Sequence, residues 1–253
     1  MIQNIFKGLN AYTTATRLIT KLKLWKFFAI PIIISLVTAS IIGFSAYGFS
    51  DNIGHWIAKV WPWEWGAAAF ETVANFLGGI LILAIGLVLY KHIVMALSAP
   101  FMSPVSEKIE AHLQSQQHQH RDTSFMEQLW RGIRINLRNL VMELVLTIPI
   151  FLLGFIPLIG SIASPILLFL MQSYYAGFGN MDYTLERHFD YQKSISFVKN
   201  NRGYAIGNGM VFMGLLLIPV IGIILVLPLS VTAATTQTVH LLDVKKPTDP
   251  LTH

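Results

Sequence analysis

The chain has no cysteine. That removes disulfide frameworks, thiol catalysis and iron–sulfur clusters, and it leaves the redox compartment unreadable. Charge is scarce as well: Asp, Glu, Lys and Arg make up only 12% of the 253 residues, against about 25% in a typical soluble domain. So few charges cannot cover a globule of this size, which argues against a soluble enzyme and excludes a disordered chain. With 18 Gly and 11 Pro, collagen-like composition is excluded too. No Walker loop, H-E-x-x-H helix, dinucleotide fingerprint or catalytic triad occurs. The chain therefore reads as a non-enzyme with no cofactor and no metal, and it cannot drive transport by ATP hydrolysis on its own.

What is abundant is apolar surface: 54% hydrophobic residues and a mean hydropathy of +0.57. This is the composition of an all-α integral membrane protein, here a single membrane domain over residues 1–243 with a disordered tail at 244–253. A basic amphipathic helix opens the chain, with Ile2, Ile5, Phe6, Leu9 and Tyr12 at helical spacing. Two long transmembrane helices follow, at about 25–49 and 67–97. Between them lies a loop carrying Trp56, Trp61, Trp63 and Trp65, a residue type that favours the headgroup boundary. Five Lys or Arg lie in residues 1–26 and six in 91–140, whereas the Trp loop has only Lys59. This pattern puts both termini in the cytoplasm. The net charge of +5 thus reflects membrane topology and lipid contact; no nucleic-acid motif accompanies it.

In the polar middle, Ser103-Pro104-Val105-Ser106-Glu107 reads as a helix start, with Ser103 as cap and Pro104 in the first turn. A second amphipathic helix is expected over 125–140, with Arg131, Arg134 and Arg138 off its apolar stripe. The last half contains a repeat. Phe155-Ile156-Pro157-Leu158-Ile159-Gly160 recurs as Leu217-Ile218-Pro219-Val220-Ile221-Gly222. Each copy divides an apolar stretch into arms of about 16 residues, which reach about 24 Å, short of a ~30 Å hydrocarbon core. Two Pro/Gly-turned re-entrant helical hairpins, at about 141–178 and 204–239, fit best, with four short full spans as the rival.

These residues resemble the CysZ sulfate permeases and the wider etoposide-induced protein 2.4 membrane family. The likeness rests on Ala99-Pro100-Phe101 leading toward Glu107, the Phe-Ile-Pro-x-Ile-Gly turn at 155–160, and Asp182-Tyr183 with His188. It continues through Asn201-Arg202-Gly203, Gly207, Gly209 and Ile218-Pro219. The resemblance implies two long spans, two hemi-penetrating hairpins, a homo-oligomer in the cell inner membrane and sulfate as the partner ion. In the permeases, sulfate is thought to bind at a Gly-Leu-Leu-Ala-Glu helix start, helped by an Arg pair. Here Ser103, Pro104, Val105, Ser106 and Glu107 stand in the motif and Trp25-Lys26 in the pair; Glu107 matches and Lys26 keeps the charge.

The chemistry of such a site is explicit. A helix start offers free N–H groups and about half a positive charge to an oxyanion. Ser103 and Ser106 would replace the donor that Pro104 lacks, Lys26 would add full charge, and Glu107 would face away. The same Ser-Pro-x-Ser-Glu run is also a sound cap that needs no ligand. Arg131, Arg134 and Arg138 suit either an anion funnel or anionic-lipid contact. Gln172 and Asn208, in the hairpin arms, either bond across helices or line a wet path. His118 and His120 sit in a Gln-rich loop read as solvated surface.

Overall fold

A computed structural model describes residues 1–59, 66–114, 123–218 and 221–244. Trp61, Trp63, Trp65, His118, His120, Pro219, Val220 and the tail from position 245 lie outside the described residues. All regular structure among the described residues is helical. In chain order the helices are α1 (Ile2–Asn10), α2 (Tyr12–Lys21), a 3-10 turn (Leu24–Phe28), α3 (Ala29–Ala58), α4 (Ala67–Gln114) and α5 (Phe125–Leu153). There follow α6 (Ile159–Leu185), α7 (Tyr191–Asn200), α8 (Arg202–Leu216) and α9 (Ile221–Val244). Among the described residues, five segments are long and apolar enough to cross a membrane: Leu24–Ala58, Ala67–Gln114, Phe125–Leu153, Ile159–Leu185 and Ile224–Asp243. With 15 residues, α8 reaches only about 22 Å.

The N-terminal amphipathic segment forms two helices rather than one, broken at Ala11. It folds back on α8, where Gly8 meets the backbone of Gly207 and Gly203 meets Asn4. The helix expected to begin at Ser103 does not begin there. Helix α4 runs unbroken for 48 residues through Pro100 and Pro104. The reason is tertiary. Met95, Ala99, Met102, Val105 and Ile109 keep helical spacing straight across both prolines, and all are buried in one core cluster with Leu24, Phe28 and Tyr183. Burial of that stripe outweighs the hydrogen bonds the prolines cannot make. Other groups cap carbonyls nearby: the Tyr183 hydroxyl donates to Met95 O at 2.6 Å.

The expected second amphipathic helix and first hairpin arm are one helix, α5. Its start is a capping box, with the Ser124 hydroxyl accepting from Glu127 N and the Glu127 carboxylate accepting from Ser124 N. Helices α5 and α6 form a helical hairpin. The chain reverses over 154–158, with Leu158 at φ 64, and the Ser164 hydroxyl donates to Ile150 O at 2.8 Å. Helices α8 and α9 form the second. The hairpins cross where Gly177 faces Ala205 and Gly209 faces Ser173, so close that a Cβ on either glycine would collide with a backbone carbonyl. Outward faces of α3, α4 and α5 are apolar and exposed, including Phe44, Phe76 and Ile148. A soluble surface does not carry such a belt.

Candidate anion site

Because α4 is continuous, Ser103 and Ser106 lie inside a helix and present no free N–H cluster. Their side chains are buried and bonded. The Ser106 hydroxyl sits 2.9 Å from Ser103 O and 2.8 Å from Tyr183 O. Arg187, just past α6, donates to the Ser106 hydroxyl at 2.6 Å, to Ser103 O at 3.2 Å and to Glu110 Oε2 at 2.9 Å. His188 Nε2 lies 2.6 Å from Glu110 Oε1. Val105 is buried in the adjoining core. The sequence reading missed Glu110 and Arg187, although Glu110 stands one helical turn beyond Ser106, on the same face. Together these side chains tie the lower half of α4 to the end of α6.

Lys26 and Glu107 are on the outside. The 3-10 turn packs Leu24 and Phe28 against α4, and two ammonium groups lie near the Phe27 ring. Lys26 Nζ lies 5.3 Å, and Lys108 Nζ 4.6 Å, from the Phe27 ring centroid. Lys108 is two residues past Ser106, about 200° around the helix. The lysines and the serine hydroxyls therefore face different sides of α4. The fold brings Lys26 to the 103–108 segment, but with Lys108 as its companion rather than Ser103 or Ser106. Lys21 Nζ, 3.3 Å from His112 Nε2, extends the basic rim.

A second charged cluster lies deeper. Lys91 Nζ is 2.7 Å from Glu143 Oε1, and His92 Nε2 is 3.1 Å from Glu143 Oε2; all three side chains are under 5% exposed. The structure pairs them between α4 and α5, inside the candidate spans. A buried pair of this kind persists only when charge meets charge.

The profile of the sulfate transporter CysZ/etoposide-induced protein 2.4 family matches residues 11–227. The chain belongs to that family. Curated relatives named "Sulfate transporter CysZ", from three strains of Vibrio cholerae serotype O1, are 22% identical over 234 residues, covering 90% of this chain and 91% of theirs. Family membership and the five apolar helices make the chain a multi-pass membrane protein, and a transporter family fits the absence of catalytic motifs.

The family match spans the remaining expected positions, and the structure gives each a location. Asn208 is fully buried. It accepts from Asn180 Nδ2 at 2.8 Å and donates to Ser230 O at 3.0 Å, while the Tyr12 hydroxyl lies 2.8 Å from Asn208 O. These are bonds between helices α6, α8, α9 and α2. Gln172 is half-buried on α6. Arg131 is not a free cation: it grips Asp182 at 2.9 and 3.1 Å and also donates to Phe189 O and the Ser194 hydroxyl. Arg134 stacks over Tyr191 and Arg138 over Phe178. Glu186, outside the spans, is 2% exposed, and burial pushes its carboxyl up to about 7 while a hydrogen bond from Ser103 holds it partly down.

Proposed function

We propose that the chain is a channel-like permease for a small oxyanion, sulfate first, in the bacterial inner membrane, with both termini cytoplasmic and the working unit a homo-oligomer. The observation that carries this reading is the pair Lys26 and Lys108 flanking Phe27, at the segment where the family resemblance puts the anion. Two ammonium groups near one ring supply the positive charge that a dianion needs. Each charge-assisted hydrogen bond is worth about 1.5–3 kcal/mol. Ser103, Val105 and Ser106 belong to the site as its buried backing: their bonds to Arg187 and their packing fix the helix that carries Lys108. Glu107, exposed beside Lys108, turns its charge to solvent. Gln172 is the hairpin-arm residue that remains available to line a path.

A second reading, a membrane scaffold whose hairpins only pack, is favoured by the closed bonding of Asn208. Radiolabelled sulfate binding and flux with the purified protein in liposomes separates the two. The permease reading expects flux above empty liposomes, and a fall of about ten- to a hundred-fold in affinity for Lys26→Ala and for Lys108→Ala, with Lys26→Arg close to the parent. A folded parent protein that neither binds nor passes sulfate would leave the scaffold.

A further inference from the structure

Helix α5 carries a buried stripe of Gly132, Asn136, Asn139 and Glu143, spaced four, three and four residues apart. Opposite it, α4 presents Lys91 and His92, and Ser98 is buried two turns farther along the same helix. The helices come together closely at one end of this seam, where Gly132 meets Ala96 and Ala99. At the other end Glu143 holds Lys91 and His92. On these two helices, His92 Nδ1, Ser98 Oγ, Asn136 Oδ1 and Asn139 Nδ2 are buried and have no hydrogen-bond partner among the described residues. Four orphan polar atoms on one helix pair are unusual, because buried polar groups are normally satisfied.

Chemistry narrows what the seam serves. A carboxylate only accepts, so His92 donates through Nε2 and leaves Nδ1 an acceptor for water. Asn139 Nδ2 and the Ser98 hydroxyl are donors that suit water or an oxyanion. Ionisable side chains within membrane spans mark ion pathways more often than they serve packing. An anion crossing an apolar slab needs a fixed cation there, and that cation must already hold an exchangeable counter-charge when the anion is elsewhere.

We propose that the α4–α5 seam is the anion's route through the membrane, and that Glu143 is an internal stand-in for the transported oxyanion on Lys91 and His92. The incoming anion takes the place of the carboxylate on the Lys91 ammonium and the His92 N–H, and Glu143 returns when it leaves. This proposal rests on the permease reading.

The test uses the full-length protein in liposomes, with sulfate and chloride flux measured together. Glu143→Gln removes the stand-in, so sulfate flux should rise or lose its preference over chloride by at least several-fold. Lys91→Met should lower sulfate flux at least ten-fold, and Lys91→Arg should keep much of it. Because Lys91→Met leaves a buried carboxylate alone and could fail to fold, Asn139→Asp provides an independent readout. It adds a negative charge without removing either partner of the ion pair, and should cut sulfate flux several-fold in protein whose thermal melt shows that it is folded. Parent-like flux and selectivity in Glu143→Gln and Asn139→Asp would overturn the seam and leave the permease standing. Absence of sulfate flux in the parent would overturn both.

Discussion

Glu186 illustrates how a single residue can be held against its usual chemistry. It lines a cavity of about 340 Å³ together with Arg131, Arg134 and Tyr191. Burial raises its carboxyl from 4.5 to about 7, and the Asp182 carboxylate adds to that rise. The Ser103 hydroxyl, Arg187 and Arg131 pull the other way without winning. One carboxyl oxygen has no hydrogen-bond partner among the described residues, as suits a neutral acid. The folded pKa lies above the unfolded one, so the folded state binds the extra proton. The stability this gives is complete below about 4.5 and is lost as pH rises to about 7. Glu186→Gln keeps the neutral form at every pH. At pH 8 the variant should be more stable than the parent by about 1–3 kcal/mol, and the gap should close by pH 4.5. Unfolding of detergent-solubilised protein across that range checks this; equal stability at pH 8 would mean Glu186 is not held neutral.

At the scale of elements, the hairpins are locked by backbone contact rather than by large side chains. Gly209 on α8 faces the Ser173 carbonyl of α6, and Gly177 faces the Ala205 carbonyl in return. Small residues allow this in membranes, where helices gain by close packing. Gly209→Val would force α6 and α8 apart and should cost about 1–3 kcal/mol or more, read as a lower melting temperature in detergent. Gly214→Val, on the same helix with open space around it, should be close to neutral. Both glycines at the crossing were visible in the sequence as marks of the family resemblance or as ordinary helix residues, but their partners were not. The apolar runs also predicted most helices, because length and hydropathy are local properties. What local reading got wrong was α4. Ser103-Pro104 carries a strong cap signal, yet the stripe from Met95 to Ile109 continues through it, and the deciding term is burial against helices far along the chain. The site followed the same rule. Lys26 was legible from its charge, whereas Lys108, Arg187 and the Lys91–Glu143 pair acquire meaning only when distant helices meet.

For the whole molecule, the register between helices bears on how deeply the hairpins enter the bilayer. Helices α4 and α5 run antiparallel, with Lys91 against Glu143 and Ala99 against Gly132. Carried along both helices, that register sets the hairpin turn at Gly154 opposite Ile80. Helix α4 continues another 13 residues to Ala67, about 20 Å farther, packed on α3. If that register holds along both helices, the first hairpin is expected to stop short of the end that the α3–α4 pair reaches. Its tip is nonetheless apolar and exposed: Phe155 is 71% and Leu158 82% exposed. A tip of this composition is stable in hydrocarbon and costly in water. With the cytoplasmic termini that the permease proposal takes from the basic residues of 1–26 and 91–140, hairpins entering from the cytoplasmic side without crossing are the expectation to test. The cysteine-free chain suits a labelling test. With sealed vesicles of known orientation, a single cysteine at Lys59 should react with an impermeant thiol reagent from outside, and one at Asn10 only after the membrane is opened. A cysteine replacing Leu158 should resist the impermeant reagent from both sides yet react with a lipid-soluble one. Ready outside labelling at Leu158 would instead make α5 and α6 complete spans, and labelling of Asn10 but not Lys59 from outside would invert the topology.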